Sequence, residues 1–224
     1  EFAECVIGIK EACEFLDYPV VSGNVSLYNG TNKKSIYPTP VIGGVGLIVN
    51  INNKINQYLK KEGNVIAQIG KNFGQLSQSI FLEEIYSITE GPPPEINLSN
   101  EKNNGLTILK LINDKLVSSV HDISSGGLIV ALAEMTFKSG FGVKLDKPKN
   151  LTNLMEYYFS EDQGRYLVEI ETVNLEKVNK ILAENNVFNE IIGTVQKDFF
   201  EVAGELKINA NDMYKINNTW YNNF

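Results

Sequence analysis

"SSVHDISSGGLIVALAEM", residues 118–135, passes from mixed polar residues into an apolar run, and that change decides the architecture. A strand over 117–121 ends at His121-Asp122, and Ser124, Ser125, Gly126 and Gly127 open a helix. From Gly126 to Phe137 that helix is apolar almost all round, with Glu134 its only charge. Such a helix belongs in a buried layer packed on a sheet. Amides at its start are able to hold an anion, although the plainer reading is that Asp122 or Ser124 caps it, a contribution of about 1 kcal/mol. His121 is the one imidazole of the chain. With no visible nucleophile or metal partner, it reads as a packed or capping residue rather than a base.

Upstream, Phe2, Val6, Ile9, Cys13 and Leu16 recur at three- and four-residue spacing, an amphipathic helix over 1–17 that stops before Pro19. Val20 and Val21 read as a short strand, 30–40 as a loop, and "VIGGVGLIV" (41–49) as a buried strand whose glycines allow close backbone approach. The polar stretch 51–62 reads as a linker between residues 1–50 and a unit spanning 63–224. In that second unit a strand at 64–69 is followed by helices near 78–88 and 103–114, with "GPPPE" (91–95) extended between them because each proline fixes φ and removes a donor. Strands are expected at 141–145, 165–171 and 188–195, a helix at 174–185, a short β segment at 199–208 and a last helix at 211–222. Strands and helices mixed without strict alternation read as α+β.

At 224 residues, 43% hydrophobic and 21% charged, the chain has the makeup of an ordinary globular protein. No stretch reaches about 18 apolar residues, so no membrane span is expected, and no export signal is visible. A net charge of −7 argues against a nucleic-acid surface. It leaves phosphorylated ligands open, because backbone amides and a bound metal offset charge locally. Cys5 and Cys13, eight apart on a helix, stand about 12 Å apart along its axis, too far for a disulfide. Two thiols fit a reducing cytoplasm. A single histidine without a Cys/His cluster argues against zinc. Glu1 already sits inside a helical pattern, which suggests a piece of a longer chain.

Two further stretches could carry chemistry. In "PVVSGNVSLYN" (19–29), alternation puts Ser22, Asn24 and Ser26 on one face. Gly23 lets a phosphate reach backbone amides, and the Asn24 carbonyl is a hard oxygen suited to Mg2+ carried on nucleotide phosphates. A plain turn explains the same residues, and the Lys and spacing of a P-loop are missing. In "YFSEDQGRYLVEI" (158–170), Ser160, Glu161, Asp162 and Gln163 cluster before Gly164 and a strand. Adjacent carboxylates there suit a metal or a ligand hydroxyl, and equally a solvated turn.

Taken together, "EACEFLDYPVVSGNVSLYNGTNKKSIYPTPVIGGVGLI", "VHDISSGGLIVALAEM" and "FSEDQGRYLVEI" resemble, in order, the C-terminal portion of the synthetase subunit of the phosphoribosylformylglycinamidine synthase family. The H-D-x-S-x-G-G stretch is shared more widely with aminoimidazole ribonucleotide synthetase-like proteins. The resemblance implies a partial first-type domain over 1–50 and a complete layered second-type domain over 63–224. It implies an ATP-dependent ligase of purine biosynthesis that converts formylglycinamide ribonucleotide to the amidine with ammonia from a glutaminase subunit or domain. By position, Gly23 would contact ATP, Asn24 would bind Mg2+ and Ser26 would contact the ribonucleotide. The family's catalytic histidine lies in an N-terminal half outside this segment, so no catalytic residue is assigned here and His121 is no match for it. Glu161 and Gln163 fall in the duplicate of the family's substrate-reading turn, so they, Asp122 and Ser124 stay off the site list. The competing reading is a non-catalytic nucleotide-binding or docking scaffold. A first-type domain cut through its middle would also bare sheet edges and apolar surface, which favours self-association through residues 1–50.

Overall fold

Apolar spacing near the N-terminus forms the expected helix, α1 (Phe2–Leu16). The computed structural model of the chain describes residues 2–26, 30–36, 39–148 and 153–223, and the chain divides into two units, Glu1–Val49 and Asn50–Phe224.

In the first unit, β1 (Gly30–Thr31) and β2 (Lys34–Ser35) pair antiparallel, Gly30 opposite Ser35. Asn32 and Lys33 between them both have positive φ, as the favoured two-residue hairpin turn requires. Two expected strands do not form. Val20 and Val21 are in irregular backbone, and 41–49 runs without a ladder, Val41, Val45, Leu47 and Val49 each at least 90% exposed. The reason is physical: a strand needs a neighbouring strand to take its backbone groups, and the Val45 N–H instead donates to the Tyr18 hydroxyl at 2.8 Å. Residues of α1 are likewise unburied. Tyr37 and Pro38 of the "YPTP" motif, and Leu27–Asn29, lie outside the described residues.

The second unit is a seven-stranded sheet. Its strands are β3 (Val65–Ile69), β4 (Ser119–Asp122), β5 (Phe141–Leu145), β6 (Tyr166–Ile170), β7 (Asn189–Lys197), β8 (Phe199–Val202) and β9 (Leu206–Asn209). They lie in the order β4-β6-β3-β7-β5-β8-β9, and among the described residues only the β5–β8 pair is parallel. Period-2 alternation sends side chains to two cores. On one face Ile66, Val143, Leu145, Leu167, Val195 and Phe200 pack against α4 (Gly127–Thr136) and α5 (Leu154–Phe159). On the other, Ala67, Ile69, Val168 and Ile170 pack against α3 (Leu98–Asn113) and α6 (Leu175–Glu184). The remaining helices are α2 (Ile80–Tyr86) and α7 (Ala210–Thr219). The architecture is therefore mixed α+β, layered on both faces, and α4 is buried as its composition demands.

Residues 51–62, read above as a linker, are held on this unit. Leu59 is 2% exposed and its N–H reaches the Met135 carbonyl at 3.0 Å. The Lys60 and Lys61 amides donate to the Glu169 carboxylate. Helix α5 had no clear pattern in the sequence: six residues are too few to show a helical period.

Candidate functional site

Strand β4 ends at Asp122, and the turn 123–126 leads into α4. That turn, the loop 160–165 entering β6 and the start of α3 enclose a cavity of about 300 Å³. Asp122, Ser124, Ser125, Glu161, Gln163, Tyr166 and Glu101 line it. The 118–135 and 158–170 stretches, far apart in sequence, thus make one site.

The helix start corrects the expected cap. Gly126 is the N-cap of α4 with φ of 82°, and no side chain of the turn caps it. Gly127 also has positive φ, and a Cβ there would lie 2.7 Å from the Tyr158 and Ser160 carbonyl oxygens. The close seating of α4 on the end of α5 needs glycine, and the backbone it imposes takes the turn out of capping geometry. Glu161 does the work instead: its Oε1 accepts the Gly126 N–H at 2.8 Å and the Ile80 N–H at 2.9 Å. The amide that could have met a phosphate holds an internal carboxylate.

Asp162 is 4% exposed. Its carboxylate accepts the amides of Phe73, Gly74 and Gln75 at 2.9, 3.0 and 3.3 Å. Arg165, also buried, donates from Nε to the Asp162 carbonyl (3.1 Å) and from Nη2 to the Ser160 carbonyl (2.6 Å). The pair of acids is therefore neither a solvated turn nor an open metal clamp; it fastens the loop 72–80 to the entrance of β6.

Carboxylates of Glu101, Asp122 and Glu161 share the cavity wall with the Arg165 guanidinium, whose Nη1 has no hydrogen-bond partner among the described residues. Burial pushes the Glu101 carboxyl above its ordinary value. Burial, with the Glu101 and Asp122 carboxylates beside it, pushes the Tyr166 phenol up as well. The carboxylates outnumber the one guanidinium, so the wall suits ligands that donate hydrogen bonds or carry positive charge. His121 stands behind it, Nδ1 at 3.2 Å from Asp122 Oδ1 and Nε2 at 2.8 Å from Glu134 Oε2. Among the described residues no group of three or more His, Cys, Asp or Glu is arranged to hold a metal ion.

Gly23, Asn24 and Ser26 belong to the first unit, in exposed irregular backbone. Nothing lies within 4 Å of where a Cβ on Gly23 would stand. Sequence reasoning missed Glu101 and Tyr166, because α3 and β6 meet only in three dimensions and neither residue stands out within its own element.

A two-faced mixed sheet with a polar cavity at its β4–α4 turn defines an α+β domain layered on both faces. The family described as AIR synthase related protein, C-terminal domain, matches residues 61–203, and the chain belongs to it. A protein of Pelagibacter ubique (strain HTCC1062) named phosphoribosylformylglycinamidine synthase subunit PurL is 49% identical over 224 residues, all of this chain and 31% of that protein. Its namesake in Bradyrhizobium diazoefficiens is 42% identical over 221 residues, 98% of this chain and 30% of that protein. The chain thus spans less than a third of these relatives. Among solved structures, T. maritima PurL complexed with FGAR superposes with a TM-score of 0.62 at 17% identity, over 73% of this chain and 30% of that one. The same protein complexed with ATP gives 0.60 at 15%, over 74% and 28%. At that identity the likeness is one of fold. Among the described residues no helix is long and apolar enough to cross a membrane.

Proposed function

We propose that the chain is the C-terminal portion of an ATP-dependent carbon–nitrogen ligase of purine biosynthesis and forms one wall of its active site. The observation that carries this reading is the 49% identity, over the full 224 residues, to a protein named phosphoribosylformylglycinamidine synthase subunit PurL. In the proposed reaction the γ-phosphoryl of ATP passes to the carbonyl oxygen of formylglycinamide ribonucleotide and ADP leaves. Ammonia, delivered by a glutaminase subunit or domain, adds to that carbon, and phosphate departs with the oxygen to leave the amidine. Positioning and charge neutralisation dominate such a step. Mg2+ arriving on the nucleotide would supply that neutralisation, and a metal carried on phosphates takes only one or two protein oxygens. Asn24 offers one, Gly23 leaves its backbone open to the nucleotide, and Ser26 is assigned to the ribonucleotide. The missing N-terminal half supplies the remaining wall and the catalytic histidine, and a cytoplasmic setting goes with this reading.

The test joins the chain to the N-terminal remainder of the enzyme and replaces Asn24 with Ala. Turnover should fall about tenfold or more and need higher Mg2+, the scale on which metal-site residues act. Undisturbed Mg2+-dependent turnover overturns the metal assignment. A second reading, a nucleotide-binding or docking scaffold, is favoured by one observation: Glu161 already occupies the Gly126 amide. Calorimetry with ATP and Mg2+ on the joined protein separates the two. Heat abolished by Asn24→Ala supports the catalytic wall; heat that survives it belongs to another site and supports the scaffold.

A further inference from the structure

His121 has a carboxylate at each ring nitrogen: Asp122 at Nδ1 (3.2 Å) and Glu134 at Nε2 (2.8 Å). Its side chain is 12% exposed, while those of Asp122 and Glu134 are 65% and 44% exposed. Ionised carboxylates only accept hydrogen bonds. Both contacts therefore stand together only when both ring nitrogens carry protons. With one proton gone, one contact sets acceptor against acceptor, and that carboxylate is released. Two features decide which one. The Glu134 contact is shorter, and Glu134 projects from α4, which is anchored by buried Leu128, Ala131, Leu132 and Met135. Asp122 is the last residue of β4, an edge strand of the sheet.

On α4, Glu134 is the only charged side chain. On β6, Leu167 stands opposite His121, and Glu169, opposite Ser119 in the same pairing, gives its carboxylate to the Lys60 and Lys61 amides, Asn64 and Ser119. Tyr166 stands opposite Asp122, and Glu101 of α3 shares the cavity with both. Arg165 lines the cavity too: its Nε and Nη2 donate to the Asp162 and Ser160 carbonyls, and its Nη1 has no hydrogen-bond partner among the described residues, so one cation faces these carboxylates.

We propose that His121 is a positioning residue and a proton-operated latch on the cavity. Doubly protonated, the ring ties Asp122 to α4 and holds its carboxylate in one orientation at the rim. Singly protonated, it keeps Glu134 and frees Asp122, so the Asp122 carboxylate at the rim becomes mobile and loses the positive charge that balanced it. Affinity of the cavity for a cationic or donor-rich ligand then follows one imidazole. This latch does not depend on the proposed ligase reaction, so either stands or falls alone.

The experiment uses the whole chain, with no ligand. Carbon-13 NMR of labelled aspartate carboxyls reads Asp122, assigned through Asp122→Asn, while the sole imidazole reports its own ring signal. The range is about pH 5 to 8, where histidine ordinarily changes charge. The Asp122 signal should step with the same midpoint as the ring, and the step should vanish in His121→Gln. In Glu134→Gln, which alters a half-exposed side chain on the helix surface and keeps the test alive should His121→Gln not fold, ring and Asp122 should move together to lower pH. An Asp122 signal that stays flat while the ring titrates overturns the latch. So does a step surviving in His121→Gln or unmoved in Glu134→Gln, or a ring that keeps one protonation state throughout.

Discussion

Glu169 is fully enclosed, yet it is among the best-partnered side chains of the second unit. Its carboxylate accepts the Lys60 amide at 2.9 Å, the Lys61 amide at 3.0 Å, Asn64 Nδ2 at 2.8 Å and Ser119 Oγ at 2.9 Å. Every partner is a donor, so a side-chain amide cannot replace it without setting donor against donor. Glu169→Gln should lower the unfolding free energy by about 1–3 kcal/mol, the usual cost of a buried unsatisfied polar group, read from the urea midpoint; a variant within error of wild type would show that the cluster contributes little. Glu101 acts in the opposite direction. Its carboxyl is raised from an ordinary 4.5 by burial, so the folded chain holds that proton more tightly than the unfolded one. Stability from this group is full at low pH and is lost as pH rises through the raised value. Glu101→Gln should therefore raise Tm at pH 7, and the gain should shrink towards zero once pH falls below about 4, where both side chains are neutral. A gain that ignores pH would sink the argument. Neither role was legible in the sequence. "SEDQ" was visible as a cluster, but Gly126 lies 35 residues from Glu161 and Phe73 lies 89 from Asp162, and only the folded chain brings those amides to the acids.

Elements were read best where they satisfy their own hydrogen bonds. Helices α1, α4 and α6 lie close to their expected spans, because a helix closes its backbone ladder internally and its burial follows from its own periodicity. Strands of the second unit also appear where alternation and apolar runs placed them. The 199–208 segment resolves into two strands, β8 and β9, turned back at Ala203–Glu205. Helix α3 begins at Leu98, five residues ahead of the expected 103, because Asn97 caps it, its Oδ1 accepting the Asn100 N–H at 2.9 Å. Asn97→Ala should cost about 1 kcal/mol and Asn97→Asp close to nothing, measured by chemical denaturation. Equal losses in both variants would move the cause from the cap to some other contact.

At the scale of the molecule the two units differ in kind. Asn50–Phe224 has a core on each face of its sheet, whereas Val21, Val45, Leu47 and Val49 of the first unit are more than 90% exposed. Apolar backbone without ladder partners invites association. The chain should therefore show concentration-dependent self-association by sedimentation, and removal of residues 1–49 should leave a folded monomer. Association that persists after the removal would place the sticky surface on the second unit.

By itself, the sequence determined the α+β class, the buried α4, the order of the second-unit strands along the chain and the family to which they belong. Each of these rests on local periodicity or on residues in linear order. Only the tertiary structure decided that Glu161 plugs the Gly126 amide, that His121 lies between two carboxylates, and that 41–49 has no partner strand among the described residues of its own unit. "SSVHDISSGGLIVALAEM" names the residues of the turn, but which atoms satisfy its amides depends on a loop 35 residues away. Hydrogen-bond partners and sheet neighbours are set by long-range contacts, and no window along the chain contains both members of such a pair.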